Sequence, residues 1–238
     1  MTLRRVCVFC GSSSGNRPEY AAAATRMATE LVARNLTLVY GGARAGLMGL
    51  LADSVLDAGG EVVGVIPQAL VDREIAHRGL TELRVVQSMH ERKAVMADLA
   101  DAFVALPGGF GTFEEFCEAV TWTQLGLHRK RCGVLNVAGF FDPLLSLFDR
   151  AVADGFLKPQ NRAIVVSESD PATLLTRLSL PSGCPGRSGS PPFSRRSDAD
   201  PNRTTGTGSS LQDAEDSSRK GAMNAKPKRV SRDLCGLA

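Results

Sequence analysis

A chain of 238 residues, 43% hydrophobic and 22% charged, has the make-up of a water-soluble globular protein with length for one α/β domain and a sizeable core. Its net charge of +3 arises at one end: through residue 180 there are 18 Lys and Arg against 19 Asp and Glu, whereas residues 181–238 hold 10 against 6. The main body therefore lacks the basic footprint of a nucleic-acid binder, and no stretch approaches the roughly 18 apolar residues of a membrane span.

The first predicted strand runs from Arg5 to Cys10. Arg4 and Arg5 precede an apolar run that turns polar at once, too short for a secretory leader, so a cytoplasmic protein is expected. Cys7 and Cys10 match C-x-x-C, but residues three apart on a strand face opposite sides, so they are expected neither to pair nor to share a metal. Further strands are predicted at Thr37 to Tyr40, Val62 to Ile66, Leu83 to Val86, Phe103 to Leu106, Gly133 to Val137 and Ala163 to Val166. Between them fall helical patterns at Glu19 to Arg34, Leu47 to Ala58, Met89 to Leu99, Phe113 to Leu125, Pro143 to Ala153 and Pro171 to Leu178. Asp142-Pro143 and Asp170-Pro171 each read as an N-cap followed by proline at the first helical position. Leu144, Phe148 and Val152 recur every four residues, as on a helix packed against a sheet. Strands that are apolar throughout indicate a parallel sheet covered on both faces, hence a doubly wound, Rossmann-like α/β fold. After Leu180 the chain turns rich in Ser, Gly, Pro, Arg and Asp. Residues 1–180 are thus expected to form the domain and 181–238 a disordered tail, in which Lys226 to Arg229 is a solvated charge run.

Three glycine-rich loops follow predicted strands: Gly11-Ser-Ser-Ser-Gly15, Gly41-Gly42-Ala-Arg-Ala-Gly46 and Gly108-Gly109-Phe-Gly111-Thr112. Ligands of open parallel sheets bind beyond the carboxyl ends of the strands, so the loops share one rim. Glycine lets backbone amides approach an anion, and a helix N-terminus adds positive partial charge. Tight turns need glycine in any case, so each loop alone says little; together they suggest a phosphorylated ligand. None has the G-x-G-x-x-G spacing of dinucleotide sites, and Leu47 and Met48 stand where a Walker lysine would follow Gly46.

Pro107 to Glu115 is more specific. Thr112 and Glu115 have capping-box spacing, which gives Glu115 a purely structural reading. A carboxylate beside a bound anion is repulsive unless a cation lies near. Ser88 opens the helix before this strand, with Glu91 as its own capping-box partner. On that helix Met89, Arg92, Met96 and Leu99 share a stripe, so Arg92 points toward the sheet and either meets Glu115 or a phosphate, or snorkels to solvent.

These residues resemble the LONELY GUY family of cytokinin-activating phosphoribohydrolases, long mislabelled as lysine decarboxylases. The likeness covers roughly residues 5–178 and rests on Cys10 to Gly15, Val39 to Gly42, Gly46 to Gly49, Met89 to Lys93, Ala105 to Glu115, Thr121 to Gly126 and Leu135-Asn136. The resemblance implies that Arg92 and Glu115 are the catalytic pair. It implies that Glu74, Lys93, Thr121 and the loop Gly109, Phe110, Gly111, Thr112, Phe113 and Glu114 line the substrate. The glycine loops, through Gly11, Ser12, Gly41, Gly42 and Gly46, are expected to grip its phosphate. The implied reaction releases adenine or an N6-prenylated adenine from the nucleoside 5′-monophosphate as free base and ribose 5-phosphate, with no cofactor, in a homodimer. On this reading Arg92 holds Glu115 ionised by lowering its pKa. Rival readings are a nucleotide or molybdenum-cofactor carrier on the same fold, and a decarboxylase needing a lysine aldimine with pyridoxal phosphate. His77, His90 and His128 lie in unrelated segments, so no metal is expected.

Overall fold

The computed structural model describes residues 2–73 and 75–180; Glu74 and the expected tail lie outside the described residues. Seven strands alternate with helices: β1 Arg5–Phe9, α1 Pro18–Ala33, β2 Thr37–Tyr40, α2 Gly46–Asp57, β3 Val62–Pro67, α3 Gln68–Val71, β4 Glu82–Val86, α4 Met89–Leu99, β5 Ala102–Ala105 and α5 Phe110–Gln124. There follow β6 Arg131–Leu135, a 3-10 turn Val137–Gly139, α6 Asp142–Ala153, α7 Pro159–Arg162, β7 Val165–Glu168 and α8 Pro171–Ser179. All pairings are parallel, in the order β4-β3-β2-β1-β5-β6-β7. The fold is the expected doubly wound one.

The central strands are buried along almost their whole length, because helices cover both faces. On one face α1, α2 and α8 enclose a core that includes Cys10, Met27, Leu31, Leu38, Tyr40 and Leu174. On the other, α4 and α5 enclose Cys7, Phe9, Met96, Phe103 and Phe116, with Leu144 and Phe148 of α6 packed at the margin. Cys7 and Cys10 therefore belong to different layers, as the strand geometry requires.

Chain direction of the connections reverses between β1 and β5. The loops leaving these two strands part to opposite sides there, which opens a crevice at the sheet's carboxyl edge. Of the two Asp-Pro signals, one caps its helix and the other is shifted. Asp170 caps α8 by accepting from the Thr173 amide at 2.9 Å, and Pro171 is first in the helix. Asp142, expected as a cap, is already inside α6; its carboxylate accepts from Asn136 Nδ2 at 2.6 Å.

Candidate active site

The sharpest feature of the crevice is an ion pair held almost out of water. Ser88 caps α4, its hydroxyl accepting from the Glu91 amide at 3.1 Å, and Glu91 in turn accepts from the Gln87 amide at 2.7 Å. This fixes the first turn of α4, and Arg92 follows on the face turned to the sheet, only 7% exposed. Met89, expected on the same stripe, is instead 46% exposed. The Arg92 guanidinium donates through Nε to the Val65 carbonyl at 3.0 Å and through Nη1 to Glu115 Oε1. It lies against Gly41, where a Cβ would come 2.1 Å from Nη2, so any side chain at 41 displaces it. The side chains of Arg92 and Glu115 keep 9% and 11% of their surface. Removing one partner from such a pair leaves a buried charge, at a cost of about 3–5 kcal/mol.

Glu115 departs from expectation in two ways. The helix α5 begins at Phe110 with Gly109 as its cap residue and no side-chain capping bond. Thr112 is inside the helix and 4% exposed, and Glu115 is the sixth helical residue, so the capping box does not form. The structural reading of Glu115 falls with it. Its pKa also moves opposite to the expected direction. Burial pushes it above the ordinary carboxylate value, and the charge and hydrogen bond of Arg92 offset this only in part. The pair thus keeps an unusually basic carboxylate at the crevice.

The first amides of α5, like those of any helix, have no intrahelical acceptor, and no side chain caps them at this carboxyl edge of the sheet. A Cβ at Gly109 or Gly111 would meet nothing within 4 Å, so the fold itself does not demand glycine there. The three loops pack in series, the first onto this one and the second onto the first. The Gly11 amide donates to the Pro107 carbonyl at 3.0 Å, and the Met48 amide to the Gly11 carbonyl at 3.3 Å. Gly46, with φ +59°, sits where a Cβ would be 2.3 Å from the Ser12 carbonyl carbon. Gly11, Gly42 and Gly41 are buried within this junction, and Ser12 is exposed on it.

The remaining expected residues divide. Phe110 projects into solvent, 93% exposed, at the crevice mouth. Phe113 stacks on Phe140 with ring centres 6.2 Å apart and is engaged in the core margin. Lys93 is bound by Glu114 at 2.6 Å and Glu118 at 3.1 Å, and these bonds, Glu114 first, raise its pKa. Thr121 lies six residues beyond Glu115, about 9 Å along the axis. Its hydroxyl bonds the Cys117 carbonyl, so the structure does not bring it to the ion pair. Sequence reasoning missed the Val65 carbonyl, for which no side-chain signal exists. It also missed Glu118, although its spacing four residues after Glu114 places both on one helix face toward Lys93.

A family profile described as "Possible lysine decarboxylase" matches residues 48–178. The cytokinin riboside 5′-monophosphate phosphoribohydrolase LOG2 of Arabidopsis thaliana is 53% identical over 175 residues, covering 74% of this chain and 82% of its own. The rice enzyme of the same description, LOG of Oryza sativa subsp. japonica, is 50% identical over 74% of this chain and 72% of its own. The chain belongs to the LOG family. Among solved structures, this LOG-family chain superposes on the molybdenum cofactor carrier protein of Chlamydomonas reinhardtii with a TM-score of 0.55. That match has 19% identity and covers 71% of this chain and 92% of the other, a likeness of fold alone. The decarboxylase wording of the profile does not fit the LOG-family site. Lys93 is a firmly protonated ion-pair partner, Lys130 precedes β6, and Lys158 opens α7 ahead of β7, the latter two at the end of the sheet opposite the crevice. None is placed to hold pyridoxal phosphate as an aldimine at the rim.

Proposed function

We propose that the chain hydrolyses the N-glycosidic bond of an adenosine 5′-monophosphate, bearing an N6-prenyl group or none, to the free base and ribose 5-phosphate. The observation that carries this reading is the buried Arg92–Glu115 pair under three touching glycine loops. The 5′-phosphate docks on the unpaired amides at the start of α5, which fixes the sugar relative to Glu115. As the bond from C1′ to the base nitrogen lengthens, the sugar gains oxocarbenium character, which the negative carboxylate stabilises. Glu115 takes a proton from water as the water oxygen bonds to C1′; the base departs with the bonding pair and takes up a proton from solvent, to which Glu115 then gives back its own. Arg92 aims the carboxylate through one oxygen, and its pairing limits how far burial raises the pKa. A carrier without chemistry is supported by fold likeness alone and gives this ion pair no task.

The same reading places the protein in the cytoplasm as a homodimer without cofactor. Exposed Leu125, Leu127, Leu147 and Phe156 supply apolar surface for a second copy to cover. Incubation with AMP and with isopentenyladenosine monophosphate, followed by assay of ribose 5-phosphate, tests the activity. Adenosine, lacking the phosphate, is expected to react at least about 100-fold more slowly. Equal turnover of adenosine and AMP overturns the role given to the loops, and no release from either nucleotide overturns the activity.

A further inference from the structure

Glu115 borders a second space besides the crevice. Between α4, α5 and the strands β1 and β5 lies a cavity of about 10 Å³, walled by Phe9, Ala97, Phe103, Ala119 and Trp122, with Glu115 at its edge. That volume admits at most one water molecule, which needs two to four polar partners to be held. The other charged side chains at the rim, Lys93 and Glu118, are bonded to each other. Glu115 spends Oε1 on Arg92. Apart from these rim groups the walls are carbon, so the space is apolar. Trp122 lies seven residues after Glu115 on α5, two turns along the same face. Its indole is braced by His128, edge to face, with ring centres 6.3 Å apart.

We infer that Trp122 is a positioning residue, closing an apolar cavity beside Glu115 so that water reaches this carboxylate only from the crevice. The inference rests on Glu115 being the reacting carboxylate. Its chemical consequence is a stronger base: a carboxylate stripped of solvent on one side accepts a proton from water more readily, and desolvation is the leading influence on Glu115. The groups acting on Glu115 are Arg92 and Lys93 from α4 and Glu114 from its own helix. Glu118 shares the cavity rim, and the thiols of Cys7 in β1 and Cys10 just after it feel the Glu115 charge. A change at Trp122 removes none of these charged groups, so its expected effect on Glu115 is through solvation.

Trp122 is the only tryptophan of the chain, which gives a readout independent of turnover. In the full-length protein its fluorescence followed over pH should show a step above the usual carboxylate range. Glu115→Gln should lack this step. A second step, from His128 with its pKa lowered to about 4 by burial, should persist in both proteins. Coincident traces for the two proteins overturn the inference, even if the nucleotidase activity itself fails to appear. With an active enzyme, the acid limb of the kcat/KM profile should stay in place for Trp122→Phe. For Trp122→Gln it should move to lower pH by about one unit, with kcat reduced and KM nearly unchanged. Ala119→Ser, which adds a hydroxyl to the cavity wall with little loss of packing, should shift the limb the same way if Trp122→Gln does not fold. A loss of activity uniform across pH, with the limb unmoved in both variants, assigns Trp122 a merely structural role and sinks the proposal.

Discussion

The two faces of the sheet are built for different ends. Under α1, α2 and α8 the core is hydrocarbon with hardly a polar atom, and the Tyr40 hydroxyl there has no partner among the described residues. Under α4 and α5 the same sheet accommodates Arg92, Glu115 and, nearer the surface, Lys93 with two glutamates. Both helix layers rest on equally apolar strands, so strand composition does not distinguish them. The difference arises at the carboxyl edge, where the reversal between β1 and β5 lets charged side chains on α4 and α5 meet in the crevice. The first face contributes stability; the second gives up some of it to hold an ion pair beneath the glycine loops.

That contrast can be broken at its strongest point. Glu115→Gln keeps an acceptor for Arg92 but loses the negative charge. Turnover in a nucleotide hydrolysis assay should fall by roughly two to four orders of magnitude with folding nearly intact. Near wild-type rates in a folded protein would return Glu115 to a packing role.

Arg92→Ala should cost almost as much activity, and the double variant little more, because the pair acts as a unit. It also carries a pH signature. Arg92 draws the Glu115 pKa down against burial, so its removal lets that pKa rise further. The acid limb of the residual activity should therefore shift to higher pH, and a shift to lower pH would show that Arg92 does not act on Glu115 in this way.

On the opposite face, Leu31→Ala removes a fully buried side chain of α1 and should lower unfolding free energy by about 2–5 kcal/mol in denaturant titrations. kcat should change less than about twofold if the faces are as separable as their chemistry suggests. The smallest effect is expected from ending the chain after Leu180, which should leave melting temperature and activity unchanged. A clear drop in either would move the domain boundary.

The parallel sheet and the inward arginine were legible because each rests on periodicity: apolar runs for strands, and one helical stripe that carries Arg92 beside Met96. The start of α5 was not. Thr112 and Glu115 have capping-box spacing, but the chain enters the helix at Phe110, directly after the extended Gly109. Thr112 then packs under Gly108, where a Cβ would come 2.1 Å from its hydroxyl, and has no free amide to cap. The direction of the Glu115 pKa was equally hidden, since it depends on how deeply the folded chain buries the carboxylate, which no local spacing encodes. The four-residue helices α3 and α7 are too short to show a period.

One clasp has a bearing on biosynthesis. Arg34, just past α1, donates to the Ala172 carbonyl at 2.9 Å and to the Thr176 hydroxyl at 3.2 Å, fastening the last described helix to the first. On the ribosome, α1 emerges long before α8 exists. At about 5–20 residues per second, the 146 residues from Ala33 to Ser179 take roughly 7–30 s to add. Throughout that interval the apolar flank of α1 that α8 will cover stands open, a window in which a nascent chain is prone to self-association and in which chaperone engagement has most to protect.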